Sequence, residues 1–213
     1  MSQFLAPIHQ WLFNKIKIME SIEKAIIQTE FESDMQTTVM NELAEKAGPY
    51  LADAPLGELI DHGNIHQWLQ DKITIVETRQ SFLVKKLTNN DNDAFDNIRK
   101  VYYNFGSQMG EQASENKPLD AESLFQVLNN YILEGMPCDR VNAITSKSTD
   151  LLEWQTERCV HRSNWENGGS AVETYYGFRA SFTEAFIKAA NTAFEYDFKF
   201  IDGIQYHTIR KHS

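Results

Sequence analysis

The chain has 213 residues, 42% hydrophobic and 23% charged, which is enough to bury a core and is typical of a globular protein. Thirty acidic against twenty basic residues give a formal net charge of −10, which argues against nucleic acid or an anionic membrane surface as partner. Two cysteines are too few for a disulfide framework. Without an apolar run of ~20 residues or a signal peptide at the N-terminus, we expect a cytoplasmic protein.

Helical patterns with typical boundary residues fill the first part of the chain. Pro7 favours a helix start, Gly48-Pro49 a helix end, and Asn64 a helix cap. The spacing of apolar residues predicts helices over residues 7–30, 33–47, 56–61, 65–87, 94–112 and 118–134. The polar run 89–93 is predicted to be a loop that ends in a helix cap. Residues 1–136 are therefore expected to form a helical bundle.

An internal repeat runs through two of these predicted helices. Residues 8–20 (IHQWLFNKIKIME) and 65–77 (IHQWLQDKITIVE) share nine of thirteen positions at a fixed offset of 57. We expect the two helices to bury equivalent faces against each other or across a homodimer interface, and therefore expect a homo-oligomer. The repeated Lys15 and Lys72 are expected to extend to solvent or to pair with a carboxylate.

The pattern changes from helical to alternating after Pro137. Alternation over residues 141–145 and 152–160 predicts one hairpin, residues 171–193 a helix, and residues 194–210 a second hairpin around Asp202-Gly203. The predicted fold class is α+β. It comprises an N-terminal helical bundle with an internal repeat (1–136) and a C-terminal β-β-α-β-β antiparallel sheet layer packed on it (137–213).

This order of elements in residues 138–210 resembles the small-molecule-binding domains of the 4-vinyl-reductase type and of thiazoline-carboxylate-hydrolase-type proteins. The matching features are Arg158-Cys159-Val160-His161 at the end of the second strand, the helix 178–190 and the final hairpin. The resemblance implies a ligand pocket between helices and sheet. Those families carry further cysteines near the last hairpin, where this chain has Tyr196-Asp197-Phe198 and Tyr206-His207.

The segment Cys159-Val160-His161 is the most enzyme-like element. Residues i and i+2 of a strand share a face, so the thiol and the imidazole would point into one pocket. A nearby histidine lowers the pKa of a thiol, which suggests a small hydrolase with Cys159 as nucleophile and His161 as base. The alternative is a semi-buried core cysteine beside a surface histidine.

Aromatic residues around this segment suggest a wall for an apolar ligand, although aromatic residues also simply build cores. They are Trp154, Trp165, Tyr175 and Phe178. Our first hypothesis is accordingly a cytoplasmic protein that binds or senses a small molecule in an apolar pocket. The sequence identifies neither the ligand nor any cofactor, and it leaves open whether the protein is an enzyme.

The repeated histidines and glutamates suggest a metal site. His9 and Glu20, like His66 and Glu77, lie about 16 Å apart along one helix, so a single helix cannot bring them to one metal ion. Antiparallel packing of the two helices would join His9 to Glu77 and His66 to Glu20. Alternatively, each histidine bonds a backbone carbonyl or the glutamate of the other helix without a metal.

Overall fold

The α+β class is confirmed by a computed structural model that describes residues 5–89, 93–115 and 118–212. Residues 90–92 of the predicted polar loop lie outside the described residues. The described helices are α1 (Pro7–Glu30), α2 (Ser33–Ala47), α3 (Leu56–Leu59), α4 (Ile65–Thr88), α5 (Ala94–Ser114), α6 (Ala121–Leu128), α7 (Arg162–Asn167) and α8 (Val172–Ala190). The strands are β1 (Asn142–Lys147), β2 (Leu151–Thr156), β3 (Phe194–Ile201) and β4 (Ile204–Lys211).

Several element boundaries differ from the predicted ones; α6, for example, ends at Leu128 rather than at residue 134. Helix α6 begins later because the Asp120 carboxylate accepts a 2.7 Å hydrogen bond from the Ser123 amide and caps the helix there. Strand β2 ends at Thr156 rather than at residue 160, and its last register partners are Asn142 of β1 and Gln205 of β4. Helix α7 lies between the first predicted hairpin and the predicted helix 171–193, and Gly168 is its C-cap.

Two compact units make up the chain. The first contains residues up to Asn97 together with His161–Val172, and the second contains Ile98–Val160 together with the residues from Glu173 onward. Helices α1–α4 and α7 therefore belong to the first unit, whereas α6, the sheet and nearly all of α8 belong to the second. These units do not coincide with the expected division at residue 136.

In the first unit the two repeat helices pack against each other and run parallel. The His9 and His66 rings meet at the start of the helices, with centroids 5.4 Å apart. Further along, Arg79 of α4 bonds Glu23 of α1. The repeat is therefore paired within one chain, and the homo-oligomer that the sequence suggested stays a prediction.

Each repeat helix also carries a lysine over a tryptophan one turn earlier. The Nζ atom of Lys15 lies 3.4 Å from the Trp11 ring centroid, and that of Lys72 lies 5.2 Å from the Trp68 centroid. Lys15 is only 2% exposed, so the expectation that it reaches solvent is wrong. A cation–π contact stabilises its charge in place of water.

The second unit contains a four-stranded sheet whose strands run antiparallel in the order β1-β2-β4-β3. Asp202 and Gly203 have φ values of 52° and 84°, as the predicted type I′ turn requires. The buried residues of β2 and β4 alternate and form one inner face; they are Leu152, Trp154, Thr156, Gln205, His207 and Ile209. Helix α6 packs on this face, where Phe125 lies 4.7 Å from Trp154 between ring centroids.

Helices α5 and α8 approach each other closely at two glycines of α5. A Cβ atom on Gly106 would lie 2.1 Å from the Phe182 carbonyl oxygen, and one on Gly110 would lie 2.4 Å from that of Phe186. Only a hydrogen atom fits at either position.

In the described residues, no helix combines the length and apolar character that crossing a bilayer requires.

Candidate functional site

His207 lies at the centre of the inner face of the sheet, in the second unit. It occupies β4 between Trp154 of β2 and Phe198 of β3, which are its register partners. The His207 and Trp154 rings are nearly parallel, with an interplanar angle of 5° and centroids 4.6 Å apart, and the Phe198 centroid is 5.2 Å away. Only 3% of His207 is exposed.

One ring nitrogen of His207 is hydrogen-bonded and the other is not. Nδ1 lies 2.7 Å from the Tyr196 hydroxyl, whereas the buried Nε2 has no hydrogen-bond partner among the described residues. Burial, followed by the charge of Arg179, lowers the pKa of His207 to about 3. The ring is therefore neutral at physiological pH.

A buried ion pair lies in the same unit. Arg179 of α8 bonds Glu134, whose second oxygen accepts a 2.8 Å hydrogen bond from the Asn142 amide. The Thr156 hydroxyl donates to the side-chain oxygen (Oδ1) of Asn142 at 2.5 Å. Although burial opposes a charged guanidinium, the charge of Glu134 raises the pKa of Arg179 above its ordinary value. Arg179 and Glu134 are thus both charged, and their charges cancel.

Cys159 also belongs to the second unit, but it is not part of a strand. Because β2 ends at Thr156, the argument that Cys159 and His161 share a strand face is wrong. The Tyr176 hydroxyl donates to the Cys159 sulfur at 2.5 Å. Burial, and then this hydrogen bond, raise the pKa of Tyr176 above its ordinary value, so the phenol keeps its proton.

His161 belongs to the first unit, where Glu77 holds it. Its Nδ1 atom lies 2.8 Å from one Glu77 oxygen, and the Asn164 amide donates to the other oxygen at 2.8 Å. All three residues are buried. These bonds fix α7 on α4.

The four aromatic residues expected to line a ligand wall are divided between the units. Trp154, Tyr175 and Phe178 lie in the second unit, and Trp165 in the first. Phe178 stacks on Tyr102 of α5 with centroids 5.4 Å apart. The Trp165 carbonyl accepts a 2.5 Å hydrogen bond from Ser81 of α4. Of the four, Trp154 stacks on the ring of His207.

The residues of the predicted metal site have three separate sets of hydrogen-bond partners. The Nε2 atoms of His9 and His66 are 3.3 Å apart. Glu20 instead accepts hydrogen bonds from Arg79 and from the Leu51 amide, and Glu77 accepts those of His161 and Asn164. Within the described ranges, no group of three or more histidine, cysteine, aspartate or glutamate side chains is arranged to hold a metal ion.

The histidine pair is explained by a hydrogen bond. The Ala6 amide donates to Nδ1 of His9 at 3.2 Å, so the proton of a neutral His9 must sit on Nε2. This N–H then donates to Nε2 of His66. A metal ion on Nε2 of His9 would have to displace that proton.

We expect acid to break the His9–His66 bond. Burial, and then the neighbouring His66, lower the pKa of His9 below its ordinary value of 6.5. Since the unfolded chain binds this proton more readily, the contribution of the pair to stability is present above pH 6.5 and is lost as the pH falls below it. An NMR titration of the His9 ring measures this directly. A His9 pKa at or above 6.5 would contradict the expectation.

No protein-family model matches this chain, and no curated protein or solved structure is detectably similar to it.

Proposed function

We propose that this chain is a cytoplasmic small-molecule-binding protein whose site surrounds His207 on the inner face of the sheet. Trp154, Phe198 and Tyr196 form its walls, and α6 lies over it. The free state of both cysteines supports a reducing compartment. The resemblance to small-molecule-binding domains agrees with a site between helices and sheet.

The observation that carries the proposal is the buried Nε2 atom of His207. A buried polar atom without a hydrogen bond costs roughly 1–3 kcal/mol, so proteins retain few of them. A ligand that bonds this atom recovers that free energy on binding. The strongly lowered pKa of His207 is also typical of residues at functional sites.

The surroundings suit a ligand of mainly apolar character. Ligand sites are commonly lined by aromatic and apolar side chains with a few polar groups that fix the orientation. Here the rings of Trp154 and Phe198 flank His207. The Tyr196 hydroxyl holds the imidazole in one orientation through Nδ1.

A fragment screen by ligand-observed NMR on the whole protein tests the proposal. The site variant is His207→Phe, which keeps an aromatic ring beside Trp154 and removes both nitrogens. The matched control is Tyr206→Phe, on the same strand but on the opposite face. Fragments that bind the wild type and the control, but not the site variant, are the expected result.

Two outcomes would overturn the proposal. One is the absence of any fragment whose binding depends on His207. The other is a crystal structure in which Nε2 bonds an ordered water that fragments never displace. Because His207→Phe removes the hydrogen bond between the Tyr196 hydroxyl and Nδ1, His207→Gln serves as a second variant if the first does not fold.

A further inference from the structure

We infer that the ligand of the His207 site is an uncharged, mainly apolar compound that presents a hydrogen-bond acceptor, such as a carbonyl oxygen, to Nε2. This inference rests on the proposed function and adds the chemical class of the ligand. Three features carry it: the tautomer of His207, the charge balance of the buried polar groups, and the aromatic walls.

The tautomer follows from the contact with Tyr196. A neutral imidazole has one N–H and one acceptor nitrogen. The Tyr196 hydroxyl and Nδ1 are 2.7 Å apart. Because a phenol O–H is a good donor and a neutral imidazole nitrogen is a better acceptor than a phenol oxygen, we assign the hydroxyl as the donor. The ring proton is then on Nε2, which is a donor. A ligand must therefore offer Nε2 an acceptor.

The charge balance argues against a charged ligand. Arg179 is the cation whose charge acts on His207, and its carboxylate partner Glu134 acts with the opposite sign. Since this pair is neutral in sum, a carboxylate or an ammonium on the ligand would bring an uncompensated charge into a buried region. Desolvating such an ion costs several kcal/mol, more than one hydrogen bond returns. An uncharged acceptor avoids this cost.

The walls favour an apolar body for the ligand. The faces of the His207 ring are flanked by Trp154 and Phe198, and Phe125 of α6 packs against Trp154. Aromatic side chains contribute to binding mainly through the apolar area that they bury. The N–H donor at Nε2 then favours those apolar compounds that carry a hydrogen-bond acceptor.

Four one-ring probes of similar size separate these features: acetophenone, ethylbenzene, benzoate and benzylammonium. Binding to the whole protein is measured by ligand-observed NMR competition and by quenching of tryptophan fluorescence. We expect acetophenone to bind about fivefold or more tightly than ethylbenzene, as one hydrogen bond provides, and more tightly than either ion. In His207→Phe the preference for acetophenone over ethylbenzene should disappear, and in Tyr206→Phe it should remain.

The outcomes distinguish this inference from the proposed function. If acetophenone and ethylbenzene bind equally to the wild type, or if an ion binds best, the site binds small molecules and the inference is overturned. If no probe binds in a way that depends on His207, the proposed function fails as well. Long-range 1H–15N spectra of the His207 ring give an independent readout, because a proton found on Nδ1 also overturns the inference.

Discussion

Replacing Gly106 with alanine is expected to destabilise the protein by about 3 kcal/mol, the upper end of the usual cost of overpacking. The added Cβ would lie 2.1 Å from the Phe182 carbonyl oxygen and 3.0 Å from its Cα. Both are backbone atoms of α8 and cannot rotate away, so α5 and α8 would have to separate. Gly110→Ala should act in the same direction, because its Cβ would lie 2.4 Å from the Phe186 oxygen. Urea unfolding measures both changes.

The matched control is Gly177→Ala, in the interior of α8. A Cβ atom there meets nothing within 4 Å. Alanine should stabilise the helix by roughly 0.5–1 kcal/mol, because glycine loses more backbone entropy on folding. The glycine-to-alanine substitution should therefore lower the free energy of unfolding at Gly106 and raise it at Gly177. Equal effects would show that α5 and α8 are not in close contact at Gly106.

The glycines of α5 illustrate what a sequence does not reveal about packing. Apolar spacing predicted the helix, but within it Gly106 and Gly110 read only as weak helix formers. The reason for their presence is the backbone of α8, more than seventy residues later in the chain. Local periodicity carries no information about which helix will pack there.

The face of the sheet on which His207 lies could, in contrast, be predicted from the sequence. The type I′ turn at Asp202-Gly203 was predicted correctly, and a two-residue turn fixes the register of its hairpin. That register pairs Phe198 with His207 and places His207 on the face of the aromatic residues of β3. Hydrophobicity alone does not identify the buried face of β4, because that face contains Gln205 and His207 whereas Ile204 and Tyr206 lie on the other face.

The arrangement of the two repeat helices was predictable only in part. The matching of residues 8–20 with residues 65–77 predicted that the helices are related, but not that they run parallel. The direction depends on long-range contacts such as that between Arg79 and Glu23. Glu20 and Glu77 occupy matched positions and yet accept hydrogen bonds from unrelated donors, so equivalence in sequence does not imply equivalence in chemistry.

Replacing Arg79 with methionine is expected to destabilise the first unit by about 3–5 kcal/mol, as is typical when one partner of a buried ion pair is lost. Arg79 is fully buried, and its Nε donates to both Glu23 oxygens at 2.8 and 3.0 Å. Its Nη2 donates to Glu20 at 2.8 Å and its Nη1 to the Gly48 carbonyl at 3.2 Å. Methionine fills the volume but leaves two carboxylates buried without their cation. Urea unfolding near neutral pH measures the loss.

Glu23→Gln is the matched substitution, and it should cost no more than about 1 kcal/mol at neutral pH. Two carboxylates share one guanidinium, so the cluster carries excess negative charge, and glutamine leaves Arg79 balanced by Glu20. Glutamine also keeps an oxygen for the Tyr50 hydroxyl, which lies 2.6 Å from Glu23. If this variant is as unstable as Arg79→Met, packing rather than charge holds the cluster together.

The pH dependence of Glu23→Gln separates charge from packing. Burial is the main cause that raises the pKa of Glu23 above its ordinary value of 4.5, and Arg79 only partly offsets it. The folded protein therefore binds this proton more readily than the unfolded chain does. The resulting stabilisation is fully present below pH 4.5 and is lost as the pH rises through the folded pKa. Glutamine does not titrate, so Glu23→Gln should gain stability relative to the wild type as the pH rises above 4.5. A difference that stays constant over this range would mean that the Glu23 carboxylate is no harder to ionise in the fold than in water.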